Sequence, residues 1–235
     1  MRAYHPYTIF PLGDAALLID FGNTIDEAVN RKVLELFHHL QRTPHPAIID
    51  LVPAYSSLTI YYDVLSLHGG DSTPFDQLAQ WLETLAPEPV EIRGRRFDIP
   101  VCYAPAFGPD LPAIAEQAGI EVQEVIARHT APVYRVYMIG FLPGFAYMGE
   151  VDASIAALRR DSPRPSVAAG SVGIAGRQTG IYPLQAPGGW QLIGRTPLVL
   201  FHPHEEPPVL LAPGDEIKFH SITEDEFTHY QGRPA

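Results

Sequence analysis

The residues best suited to chemistry lie in three glycine-punctuated stretches of the second half of this chain. The first runs Tyr137-Met138-Ile139-Gly140-Phe141-Leu142-Pro143-Gly144-Phe145-Ala146-Tyr147-Met148-Gly149. Aromatic rings set among glycine and proline make a poor helix but a stiff, partly apolar pocket wall, so Phe141, Phe145 and Tyr147 are candidate substrate contacts. A packed corner of a β-barrel is the competing reading of the same residues. The second stretch, Ala169 to Pro183, carries Gly170-Ser171-Val172-Gly173 and ends Gln178-Thr179-Gly180-Ile181-Tyr182-Pro183. The third is Pro187-Gly188-Gly189-Trp190-Gln191-Leu192-Ile193-Gly194-Arg195-Thr196. Glycines 170, 173, 188 and 189 would free backbone N–H groups to meet a ligand, while Gln178, Tyr182 and Arg195 would fix its polar atoms. Ser171 and Trp190 belong to the same candidate wall. Together they suggest a site for a small polar anion or amide, with Arg164 as a second cation. His129 is a candidate acid or base, set against a structural histidine at a helix end.

Other chemistries fall away. Gly170-Ser171-Val172-Gly173-Ile174-Ala175-Gly176 has neither the spacing nor the Lys-Ser/Thr ending of a P-loop, and no amphipathic helix follows as a dinucleotide fingerprint requires. Ala169 stands where a nucleophile elbow needs glycine, which argues against Ser171 as a hydrolase nucleophile. His202-Pro203-His204 lacks accompanying acidic or cysteine ligands and reads as a surface loop, and His38-His39 lies on a helix; no metal site is expected. The chain holds two lysines, Lys32 and Lys218, so none falls between residues 130 and 217. An anion bound in that stretch must be held by arginine and backbone N–H groups.

Composition narrows the class. A formal net charge of −11 disfavours a phosphate backbone, so no nucleic-acid partner is expected. No run of eighteen apolar residues occurs and the first residues lack a signal-peptide core, so the expectation is a cytoplasmic protein with no membrane partner. The single cysteine, Cys102, excludes an internal disulfide and reads as a core residue.

The elements that must position the three stretches are legible from periodicity. Ala15 to Phe21 is an apolar strand. Thr24-Ile25-Asp26-Glu27 has capping-box spacing before an amphipathic helix over 25–42, which Pro44 and Pro46 stop. Strands follow at Ala47–Val52 and Ser56–Tyr62, then a second helix opened by Thr73-Pro74. Strand-helix-strand-strand-helix-strand is the order of a ferredoxin-like split βαβ unit. Ala86-Pro87-Glu88-Pro89 reads as a linker, which places the domains at 1–88 and 89–235. Beyond it come a strand at Phe97–Tyr103 and short helices at Asp110–Ala118, ended by Gly119, and at Glu121–His129. Ten of the nineteen glycines then fall between Gly140 and Gly194, so short strands and tight corners fit a mostly antiparallel barrel or sandwich. Ser221–Ala235 reads as a loose polar tail. The fold class is α+β.

The runs GFLPGFAYMG, AAGSVGIAGRQTGIYP and PGGWQLIGRTP closely resemble the allophanate hydrolase subunit 1, or carboxyltransferase-half, family. Pro11-Leu12-Gly13-Asp14-Ala15, Asp50 to Tyr55, Phe107 to Leu111 and Tyr134-Arg135-Val136 extend the likeness over most of the chain. The family includes the B-type subunit of 5-oxoprolinase, an inhibitor of a sporulation histidine kinase, and half of the carboxyltransferase region of urea carboxylase. The resemblance implies a ferredoxin-like first domain and a cyclophilin-like barrel. It implies a non-autonomous part in opening 5-oxo-L-proline to L-glutamate, with ATP and magnesium bound in the assembled complex. The implied partners are the two other components of 5-oxoprolinase: the C-type component, a carboxyltransferase 2-type subunit, and the A-type component, which completes lactam opening. A histidine-kinase inhibitor is the alternative from another class. A further alternative is the carboxyltransferase half of a urea or guanidine carboxylase or an allophanate hydrolase-associated complex, where a biotin-bearing partner follows. Ala104-Pro105-Ala106 and Val167-Ala168-Ala169-Gly170 depart from the family pattern near the pocket.

Overall fold

The computed structural model describes residues 7–67, 69, 71–85 and 94–230. The chain divides at Ile92/Arg93 into two compact units. The expected linker Ala86–Pro89, and with it the boundary between 88 and 89, lies outside the described residues.

The first unit contains β1 (Thr8–Pro11), β2 (Ala16–Asp20), α1 (Glu27–Arg42), β3 (Ile48–Pro53), β4 (Ser57–Tyr62) and α2 (Pro74–Thr84). The strands form one antiparallel sheet in the order β1-β2-β4-β3. Strand alternation decides its buried face: Leu58, Ile60 and Tyr62 are buried on β4 and pack with Leu17 and Ile19 of β2. Val33, Leu36 and Leu40 of α1 and Leu78 and Leu82 of α2, at helical spacing, complete that core. The position beside β2 is held by β1, which precedes it in the chain.

The start of α1 differs from expectation. The cap is Asp26, not Thr24: Asp26 is extended, and its carboxylate accepts from the Val29 N–H at 2.9 Å. A carboxylate also complements the helix dipole, which a threonine two residues earlier does not. The second helix starts as its sequence dictates, with Thr73 and Asp76 forming a reciprocal capping box and Pro74 in the first turn.

The second unit opens with β5 (Arg96–Cys102), α3 (Leu111–Ala118) and α4 (Val122–Thr130). It continues with β6 (Tyr134–Ile139), β7 (Ala146–Gly149), β8 (Arg164–Val167), β9 (Ser171–Ala175) and β10 (Gln178–Ile181). Last come β11 (Ala186–Gly188), β12 (Gln191–Arg195), β13 (Glu216–Ile222) and α5 (Glu224–Thr228). Seven strands close a barrel in the order β10-β7-β6-β13-β5-β12-β9, while β8 and β11 form a separate ribbon. All neighbours are antiparallel except β13 and β5. The barrel core is filled: Ile99, Val101, Val136, Met148, Val172, Ile174, Ile181, Ile193, Ile217 and Phe219 belong to one buried cluster. Gly119 ends α3 in the left-handed conformation at φ 65°. Cys102 is buried.

The expectation of a loose tail from Ser221 is corrected. Ser221 and Ile222 continue β13 against Val101 and Cys102 of β5, and α5 follows behind a Thr223–Glu226 capping box. The Thr-x-x-Glu signal is present in the sequence, but no apolar run follows to draw attention to it. Residues 231–235 lie outside the described residues. Among the described residues, no helix is long and apolar enough to cross a membrane.

Candidate functional site

The aromatic residues singled out from the sequence come together on the outer wall of the barrel. Alternation in the strands explains why. On β10, Thr179 and Ile181 face the core, which turns Gln178 and Gly180 outward. A Cβ at Gly180 would lie 3.0 Å from the Phe145 ring, and one at Gly173 of β9 would lie 3.1 Å from Trp190 Cβ. Two neighbouring strands therefore carry glycine, at paired positions, where Phe145 and Trp190 press against the wall. Phe145, Tyr182, Trp190, Leu192, Val167 and Ala175 form the buried cluster built on those two places, with Leu142 and Tyr147 packed against it. The rings meet edge to face: Phe145 lies 5.1 Å from Tyr182 and 5.4 Å from Trp190, and Tyr147 lies 5.8 Å from Trp190. Phe141 stands at the margin at φ 69°, 62% exposed, with its ring 5.6 Å from Phe145.

Burial raises the pKa of the Tyr182 hydroxyl; a backbone hydrogen bond from Trp190 and the positive charge of Arg159 oppose that rise. Tyr147 is raised for the same first reason, again opposed by Arg159. The Arg159 guanidinium lies 5.9 Å from the Trp190 ring centre. One cation thus faces Tyr147, Tyr182 and Trp190.

The polar candidates fare differently. Arg164 is committed within the fold: its guanidinium donates to Asp110 Oδ1 at 2.7 Å, and Asp110 Oδ2 accepts the Leu192 N–H at 2.6 Å. Arg195 donates from Nε to the Ala169 carbonyl at 2.7 Å and lies 5.9 Å from the Phe227 ring of α5. Both sequence candidates for neutralising an anion therefore already have partners. Gln178 is half-buried on the outer wall, in register with Gly149 and Ala175. Ser171 is buried at the start of β9, and its backbone bonds to Ala168 and Tyr182.

Among the glycines, the N–H of Gly170 is already taken. Gly170, at φ 82°, gives its N–H to the Tyr182 carbonyl at 2.7 Å. A Cβ there would stand 2.4 Å from the Thr196 carbonyl oxygen. Gly173 sits in register between Gly180 and Leu192. Gly188 leaves room for Tyr182, whose hydroxyl would be 2.3 Å from an added Cβ. Gly189 accepts the Arg160 N–H through its carbonyl at 2.8 Å. Gly170, Gly173 and Gly188 allow close approach of rings and backbone, whereas a Cβ at Gly189 would meet nothing nearer than 3.6 Å.

His129 lies in the barrel core at the end of α4, fully buried. Its Nδ1 is 2.8 Å from the Tyr103 hydroxyl and its Nε2 is 2.9 Å from Thr179 Oγ1, while Phe219 stacks on it at 4.8 Å. Thr179 donates its one hydroxyl proton to the Gly173 carbonyl at 3.2 Å, so it accepts from an Nε2–H, and Tyr103 donates to Nδ1. Burial holds His129 down to about 3, which keeps it neutral. Both ring nitrogens are occupied inside a packed core, so the structural reading replaces the acid–base one.

Three residues at the wall were missed from the sequence. Arg159 and Arg160 line a groove of about 650 Å³ with Gln117, Leu158, Asp161, Ser162 and Gln191. Asp110, expected only as the start of a helix, makes no capping hydrogen bond and instead binds Arg164 and β12. Nothing local marks these residues: an Arg-Arg-Asp run reads as ordinary surface, and the partners of Asp110 lie far along the chain.

The geometry agrees with known proteins. The profile of the family described as carboxyltransferase domain, subdomain C and D, matches residues 7–211. The chain is 46% identical over 232 residues to the B-type subunit of 5-oxoprolinase from Bacillus subtilis strain 168, covering 96% of this chain and 97% of that one. The crystal structure of TTHA0988 superposes with a TM-score of 0.77 at 40% identity; it covers 88% of this chain, which spans only 40% of the TTHA0988 chain. The Kluyveromyces lactis urea carboxylase shares the fold, with a TM-score of 0.75 at 20% identity over 94% of this chain and 22% of its own. With these likenesses running the length of the molecule, the chain belongs to the family of carboxyltransferase domains, subdomains C and D.

Proposed function

We propose that this chain is the B-type subunit of an ATP-dependent 5-oxoprolinase complex, a non-autonomous component in opening 5-oxo-L-proline to L-glutamate. The observation that carries the reading is the 46% identity to the Bacillus subtilis protein over nearly the full length of both chains. In this reading the first unit is a ferredoxin-like variant whose fourth sheet position is taken by β1, and the second is a cyclophilin-like barrel. A barrel of that kind does not carry prolyl isomerase activity with it. The partners are the carboxyltransferase 2-type component and the third, lactam-opening component, and the assembly works in the cytoplasm.

A lactam resists water because its amide is stable. Transfer of the γ-phosphoryl group from ATP to the amide oxygen would release ADP and activate the carbonyl carbon for attack by water. The C–N bond then breaks as the nitrogen takes a proton, and a second water releases phosphate from the acyl phosphate that remains. Such catalysis rests on positioning and charge neutralisation. We assign ATP and magnesium to the assembled complex. Phe141 and Tyr147, at the edge of the ring cluster, are the aromatic residues placed to meet a small ring. Gln178, whose side chain makes no hydrogen bond among the described residues, is placed to bond an amide. Phe145, Tyr182 and Trp190 lie behind as rigid support, because packing has already taken up their surfaces.

Mixing the chain with its two partner components should give a complex on size exclusion that forms glutamate from 5-oxoproline and Mg-ATP. An assembled complex that forms none contradicts the reading.

A further inference from the structure

The positive groove beside the aromatic wall has no role in the fold that accounts for it. The chain carries a net charge of −11, yet the charged residues lining this groove are Arg159, Arg160 and a single acid, Asp161. A local excess of positive charge against so negative a background favours an anion at that spot. Arg159 makes no ion pair among the described residues; its guanidinium faces the ring of Trp190. Arg160 lies 3.6 Å from Asp110, but Arg164 at 2.7 Å and the Leu192 N–H at 2.6 Å already engage that carboxylate. Asp161 has no ion pair of its own among the described residues.

The groove is also held in shape. Ala157 and Gly176 exchange backbone hydrogen bonds of 3.3 and 2.7 Å. Gln191 of β12 donates to the Leu158 carbonyl at 3.0 Å, and the Arg160 N–H donates to the Gly189 carbonyl at 2.8 Å. A loop tied at three successive points presents its two guanidinium groups with less ordering left for a ligand to induce. Guanidinium groups match the geometry of carboxylate and phosphoryl oxygens, and Arg159 and Arg160 are the cationic groups among the described residues that line the groove.

We propose that Arg159 and Arg160 form an oxyanion subsite that takes a phosphoryl or carboxylate group of a small ligand whose body rests toward the aromatic wall. The two sources of such a group, Mg-ATP and 5-oxoproline, follow from the proposed function and are separated by the test.

Trp190 supplies the reporter, since it lies under Arg159 and the chain contains only one other tryptophan, Trp81. In the full chain carrying Trp81→Phe, fluorescence is titrated with inorganic phosphate, Mg-ATP and 5-oxoproline at constant ionic strength. At least one probe should give a saturable change. Arg159→Gln should weaken that response at least tenfold, and Arg159→Lys should recover part of it. Arg31→Gln, which removes a charge from α1, should leave it within twofold. A response to Mg-ATP and phosphate assigns the phosphoryl group; a response to 5-oxoproline alone assigns the carboxylate. No saturable response to any probe, or one unchanged by Arg159→Gln in a protein with unaltered circular dichroism, overturns the subsite. This reads binding by the chain itself, so it can fail while the assembled complex still forms glutamate, and it can succeed where the complex forms none.

Discussion

Gly188 shows how single residues shape this wall. Because an added Cβ would stand 2.3 Å from the Tyr182 hydroxyl, Gly188→Ala is expected to lose about 1–3 kcal/mol of stability through overpacking. Gly176→Ala, where φ is 58° and nothing lies within 4 Å, should lose only about 1 kcal/mol, from left-handed backbone strain. Urea unfolding of the pair decides the matter: equal losses would mean that the contact with Tyr182 is not what Gly188 protects. His129 makes a second prediction at this scale. Its pKa is held at about 3 in the folded chain but returns to about 6.5 on unfolding. Between those values the unfolded state binds the proton and the folded state does not. Stability therefore falls as pH drops from about 6.5 toward 3, by up to about 1.4 kcal/mol per pH unit from this residue. The partner hydroxyl of Tyr103, whose pKa burial raises further above its usual value, is protonated across the whole window in both states. Unfolding free energies of His129→Gln should fall less steeply from pH 6.5 to 4.5 than those of the parent. Parallel slopes would contradict a buried neutral histidine.

At the scale of elements, Asp110 joins three segments: the start of α3, Arg164 of β8 and the backbone of β12. Asp110→Ala should cost roughly 3–5 kcal/mol, because it strands a partly buried guanidinium and an N–H. Pairing it with Arg164→Met should recover part of the loss in a double-mutant cycle. Additive losses would mean the ion pair does not couple α3 to the ribbon. What could be read from the sequence follows the range of the forces involved. Strands, helices and the Thr73 and Gly119 caps depend on near neighbours, so β4, α2, α3 and α4 were legible within a residue or two. The aromatic residues were legible as a group, but not their burial, which depends on Gly173 and Gly180 sharing one face of the barrel wall. The commitment of Arg164 was hidden because its partner lies 54 positions away, and the other ligand of that carboxylate lies 82 positions away. For the same reason Arg164 was preferred to Arg159: composition distinguishes an arginine from a lysine, but not a satisfied arginine from an available one.

Across the whole molecule, a filled barrel places the candidate chemistry on the outside of its wall, where a partner protein can complete it. In the proposed reading, Phe141 and Tyr147 at the margin and the arginine groove would make up one side of a site, with no interior cavity needed to enclose a substrate. That arrangement suits the proposed role as one component of a complex, in keeping with the full-length likeness to the B-type subunit of the Bacillus subtilis 5-oxoprolinase. The most direct measurement is glutamate formed from 5-oxoproline and Mg-ATP by this chain with its two candidate partners, each protein omitted in turn. Under the proposed function, glutamate forms from the complete mixture and none forms when this chain is left out. An equal rate without this chain, or no glutamate from a verified assembly of all three, would contradict it.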